Sequence, residues 1–168
     1  MAHQRRDRVG LVIAHQDAQV TLPICDAMLS CIASAVDTSY TQHNRTNGST
    51  VSLVHGNMAD RKLFSVSIYP TRTIVLWERP TRQELFDFAL ANLELLLKPA
   101  HALGTWFDDW NQVHVLDVVL LVPDRDAALA LALCHGQIAI FDLESRCEIP
   151  VPHQSEILLA SHAGGANV

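Results

Sequence analysis

"LDVVLLVPDRDAALALALCHGQIAIFDL", residues 116 to 143, decides the fold. Apolar runs at its two ends read as buried strands, and the segment between them has the length of a short helix. Asp124 stands where an N-cap belongs, "RDAALALALCH" is apolar nearly all round, and Gly136 supplies a left-handed C-cap. His135 in the last turn suits the negative end of the helix dipole. A strand, a crossover helix and a strand predict two parallel strands joined by a right-handed connection. Two carboxylates, Asp117 and Asp142, lie inside the strand runs, where a charge is costly unless something pairs with it.

Working outward, "LGTWFDD" and "VHVLDVVLLV" read as two strands joined through Trp110, Asn111 and Gln112. Before them, "PTRQELFDFALANLELLLKP" spells a helix over 80–99: Pro80 at its start, a capping box of Thr81 with Glu84, and a stop at Lys98-Pro99. Leu85, Ala89, Leu93 and Leu96 or Leu97 share a face with Phe86 and Leu90, a stripe that must cover a sheet. "LFSVSIYP" and "RTIVLWE" around Pro70, Thr71 and Arg72 read as a hairpin. "TLPICDAMLSCIASAV", 21–36, has helical length with Pro23 in its first turn. "DTSYTQHNRTNGST", 37–50, is polar, rich in turn formers and expected to be a surface loop. Further strands are expected over 9–14, 51–55, "QIAIFDL" and "CEIPV".

The expectation is therefore an α+β fold, a mixed sheet of six or seven strands with helices packed on it and one strand-helix-strand crossover. Its 168 residues fit a single domain, 1–168, with a divergent N-terminal elaboration over 1–62, a core over 63–150 and a frayed tail over 155–168. The composition, 49% hydrophobic and 18% charged, is that of a globular chain. A formal charge of -6 opposes a phosphate backbone, and the one basic cluster, Arg5, Arg6 and Arg8, is too short for a nucleic-acid arm. No run is long enough to span a membrane, and the apolar stretch near the start is interrupted too early for a signal peptide, so cytoplasm is the expected compartment. Cys25, Cys31, Cys134 and Cys147 are expected as free, packed thiols there, with Cys134 in the core.

The blocks "SVSIYPTRT", "LGTWFDD", "VLDVVLLVPDRDAALALA" and "GQIAIFDLES" resemble a family of small bacterial domains that occur as hypothetical proteins and as segments of larger phage and mobile-element polypeptides. The likeness covers roughly residues 63–150 and rests on the order of the blocks. It implies a mobile-element or gene-cassette context and assigns no catalytic residue.

The candidate sites are few. Asp117 shares a strand face with Val113, Val115, Val119 and Leu121, and Asp142 with Ile138 and Ile140. On neighbouring strands the two acids would converge as a paired-acid site with split pKa values. The bland alternative has Asp117 held by backbone N–H groups or by Arg72 or Arg125, and Asp142 opening the turn "DLESR". Nine histidines carry no local zinc spacing, and a set such as His101, His114 and Asp108 would need distant parts of the chain to meet. No phosphate-cradling or nucleophile-elbow motif occurs, so no cofactor and no metal is expected. Trp106, Phe107, Trp110 and Asn111 crowd a hairpin end, a pattern of interface anchors or of pocket walls. These readings favour a noncatalytic interaction module that self-associates as a homodimer or holds a protein partner. A small hydrolase or metal-dependent enzyme built on Asp117 and Asp142, and a small-molecule binder, are the alternatives.

Overall fold

The computed structural model describes residues 25–152; the strand expected over 9–14, Pro23, the arginine cluster and the tail from 155 lie outside them. In chain order the elements are α1 (Asp26–Thr46), β1 (Gly48–Ser52), β2 (Gly56–Asn57), β3 (Phe64–Ser67), a 3-10 turn (Pro70–Arg72), β4 (Ile74–Leu76), α2 (Arg82–Ala91), α3 (Leu93–Leu96), β5 (His101–Asp108), β6 (Val113–Val122), α4 (Arg125–Cys134), β7 (Ala139–Asp142) and β8 (Cys147–Pro150). The strands form one curled sheet in the order β2-β1-β5-β6-β3-β7-β8, with β4 also on β6. The class is α+β, as the sequence predicts.

β6 is the spine. β5 pairs with its first eight residues on one side, while β3 and β4 share its other edge, β3 along 119–122 and β4 along 114–116. Both run antiparallel to β6, so "LFSVSIYP" and "RTIVLWE" are one interrupted strand and not the expected hairpin. Pro70 lacks the N–H a ladder needs, and the chain leaves the sheet through the 3-10 turn before resuming the same direction.

The crossover differs from expectation in one respect. β6 and β7 do run the same way, but β3 lies between them and pairs antiparallel with both, so every ladder is antiparallel. The expected mixed sheet is thus parallel only across an intervening strand. α4 has the predicted caps: Asp124 accepts from the Ala127 N–H at 2.8 Å, and Gly136 follows at φ 65. It packs Ala128 and Ala132 onto Val66 and Ile140. Cys134, two residues from Ala132 on the helix and so far round its circumference, is exposed, and the other three cysteines are free and exposed too. The expectation of packed thiols fails because small alanines already fill the inward stripe.

The expected loop over 37–50 is also corrected. α1 continues to Thr46 and ends on Asn47 in the left-handed region, whose N–H bonds the His43 carbonyl at 2.9 Å. Ile32, Ala35, Val36, Ser39 and His43 are its buried residues, a helical spacing that runs on through polar side chains. The expected helix over 80–99 has the capping box in place, yet breaks at Asn92 into α2 and α3. Asn92 is buried, donates to the Phe88 carbonyl at 2.9 Å and accepts from Arg72 at 3.1 Å, a side-chain role that competes with the regular ladder.

By strand alternation, Leu116 and Val118 face α1, α2 and α3 in the main core, with Phe88, Leu85, Leu93 and Leu103 among its members. β1 and α1 supply Val51, Leu53, Ile32 and Val36 to that core, so residues 26–53 are integral to the domain. Val119 and Leu121 point to the reverse face and meet Met58, Ala102 and Leu143 in a second cluster.

Candidate functional site

Asp117 lies on that reverse face, opposite Gly104 on β5. A side chain on residue 104 has no room: a Cβ built there would come within 2.7 Å of Val119 Cγ1. The glycine therefore makes room for the Val119 side chain, and Trp106, two residues along, is a diagonal neighbour of Asp117 across the pair. Thr73 donates its hydroxyl to Asp117 Oδ1 at 2.5 Å, and the Trp106 indole and the Ser67 hydroxyl are further groups that favour its charged form. Burial pushes the Asp117 pKa above the usual carboxylate range, and these three groups hold it back. A buried carboxylate that already accepts from Thr73, with Trp106 and Ser67 favouring its charge, ties the segment leading into β4 to β6. It is the bland reading of the sequence with different partners, because Arg72 instead bonds Asn92 and pairs with Glu94 at 2.9 Å.

Asp142 is elsewhere. Phe141, not Asp142, pairs with Ser65, which in turn pairs with Leu121 of Asp117's face, so the two acids occupy opposite faces and different rungs. Asp142 Oδ1 accepts from the Glu144 and Ser145 N–H groups at 2.9 and 3.3 Å, which opens the turn to β8 as "DLESR" suggests. Ser145's hydroxyl and these amides lower its pKa. The convergence of acids required neighbouring strands, and β3 separates them.

The helix-side face carries polar chemistry that the sequence analysis missed. His43 of α1 bonds Thr105 Oγ1 through Nδ1 at 2.9 Å and His114 Nδ1 through Nε2 at 2.8 Å. Thr105 meets Ser49 Oγ at 2.8 Å, and Ser49 meets Ser39 Oγ at 2.6 Å. Phe107 lies against the His114 ring, centroids 4.6 Å apart. Burial, then the neighbouring His114, then Arg79 bring the His43 pKa down to about 4, and burial followed by Arg79 lowers His114. Arg79 donates to the His43 carbonyl at 3.3 Å and to Asn47 Oδ1 at 2.9 Å, closing the C-terminus of α1. The five side chains form one chain of groups that both donate and accept. One added proton is compatible with every bond; two would set N–H against N–H between the rings and break the 2.8 Å contact. The signal available in sequence was the spacing of 32, 36, 39 and 43, hidden because two of those positions are polar.

His101 is a third buried imidazole, bonded to the Tyr69 hydroxyl at 2.8 Å and lowered in pKa by burial and by Lys98. It opens β5 and Asp108 closes it, about 23 Å away at strand rise, so the set His101, His114 and Asp108 does not assemble. Among the described residues no three His, Cys, Asp or Glu side chains are placed to hold a metal ion.

At the hairpin end, Asp108 accepts from the Trp110 and Asn111 N–H groups at 3.0 and 3.1 Å and from Asn111 Nδ2 at 2.7 Å, contacts that lower its pKa. Asn111 thus closes the turn, and Trp106 and Phe107 are half-buried against Asp117 and His114. Trp110 stands apart at 93% exposed. A second exposed indole was singled out by no sequence argument: Leu76 pairs with His114, which brings Trp77, 82% exposed, to the same end of the sheet. No described helix is long and apolar enough to cross a membrane. Compared with family models, with curated proteins and with solved structures, the chain matches none.

Proposed function

We propose that this protein is a noncatalytic interaction module that self-associates through the aromatic end of its β5–β6 hairpin. The observation that carries the reading is the pair of indoles, Trp110 and Trp77, held almost wholly in solvent at one end of a well-packed sheet. Indoles are costly to expose and are the commonest anchors of interfaces. The carboxylates support it from the other side, since buried Asp117 and the part-exposed Asp142 and Asp108 each already accept from protein donors. An accessory role in a mobile gene cassette belongs to the same proposal and rests on the resemblance of residues 63–150. Light scattering across a concentration series tests it: the expected mass is twice the 18.6 kDa of one chain. Trp110→Ala or Trp77→Ala should weaken the dimer at least tenfold. A monomer at every concentration, or a dimer indifferent to both substitutions, refutes it.

A further inference from the structure

The position of Trp77 also says how two copies would meet. β4 pairs with β6 on one side, and among the described residues no strand pairs with its other side. Native sheets blunt such an edge with lysine, proline within the strand, a bulge or a covering element. Apart from its length of three residues, β4 has no such protection among the described residues: Thr73 to Trp77 is uncharged and free of proline, and its exposed apolar side chains stand on both faces. Ile74, 42% exposed, lies on the helix side with Leu116, while Val75, 55% exposed, lies with Val115 on the reverse face, and Trp77, 82% exposed, follows in the bend that ends the strand. A ligand docking on one face would cover only half of this surface; a strand laid alongside covers both.

We propose that the occupant is a second copy of this chain, its β4 laid antiparallel to the first about a two-fold axis at Val75, so that the two sheets become continuous. The proposal rests on the self-association reading and names its geometry. A two-fold axis normal to a sheet keeps each face on its own side, so residues opposite one another must share a face. Centring on Val75 meets that condition within the three residues of β4: the two Val75 side chains stand opposite each other and Ile74 of each copy stands opposite Leu76 of the other, with Trp77 just beyond the ladder. Although the chain carries -6, the residues that follow, Glu78 and Arg79, cancel, so the edge itself is not repelled by its copy. Each indole covers about 150–250 Å². With Ile74 and Val75, two copies bury roughly 1,000 Å², the lower end of what a specific interface needs.

Amide hydrogen exchange of Ile74 to Trp77, read in the full chain below and above the concentration at which the mass doubles, tests the geometry. The expected result is slowing of at least tenfold on dimerisation, and loss of both the slowing and the dimer in Val75→Lys, an exposed position whose change leaves the amides of β5 and β6 protected. A dimer whose β4 amides exchange as fast as in the monomer overturns the edge pairing while the interaction module stands. Edge amides already slow in the monomer overturn it too, since the edge is then held by the chain's own residues. A chain that stays monomeric refutes both readings.

Discussion

Gly104→Ala is the sharpest test of the packing described above. Its backbone is not in the left-handed region, so the substitution carries no conformational penalty and gains about 0.4–1 kcal/mol from a stiffer unfolded chain. Against that stands the new methyl, 2.7 Å from Val119 Cγ1 and 3.5 Å from both Cγ2 and the Asp117 carbonyl. Ordinary contact begins near 3.4 Å, so Val119 must give by more than half an ångström in a strand bonded on both sides, where its branched side chain is stiff. Overpacking of this kind costs about 1–3 kcal/mol, for a net loss of about 1–2 kcal/mol and a melting temperature lower by roughly 3–8 °C. Val119→Ala removes the obstructing methyl. In that background Gly104→Ala should be neutral or stabilising, filling space the valine vacated, with a coupling of about 2 kcal/mol between the sites. Thermal or urea unfolding of the four proteins completes the cycle. Equal costs in both backgrounds, or a single variant as stable as the parent, would show that the glycine is not there to make room for Val119.

Acid should destabilise the protein through its imidazoles. His43 titrates near 4 when folded and near 6.5 when unfolded, so the unfolded chain binds more protons between those values; the stability is fully present above pH 6.5 and is lost toward pH 4. The difference amounts to at most about 3 kcal/mol, with His101 and His114 adding in the same direction, and His43→Gln should flatten the curve measured by urea unfolding from pH 7 to 4. Asp117 acts with the opposite sign, because a raised pKa favours the folded state as pH falls. Asp117→Ala leaves the buried Thr73 hydroxyl facing a void and should cost about 1–3 kcal/mol by chemical unfolding; a loss below half a kcal/mol would contradict a structural role for the carboxylate. Thr81→Ala deletes one half of the α2 capping box and should cost about 1 kcal/mol, visible in the same assay.

Local signals were legible wherever chemistry and neighbour in sequence coincide. Thr81 with Glu84, Asp124 with Ala127, Gly136 and the Asp108–Asn111 turn all act within a few residues, and each stands where the sequence puts it. The α+β class followed from the same signals. What the sequence concealed are contacts between residues far apart in the chain. Ser39 and His43 look like loop residues until Ser49 on β1 meets the serine and Thr105 and His114, more than sixty positions beyond the histidine, satisfy the imidazole on the sheet. Asp117 and Asp142 look like a pair until β3 slides between their strands.

By itself the sequence determined where helices begin, where turns close and which residue types crowd the hairpin, because capping and turn bonds span only a few residues. Tertiary structure alone decided strand order, the face each acid occupies and the open edge of β4, because pairing is settled by which distant strand best buries a face and satisfies its amides.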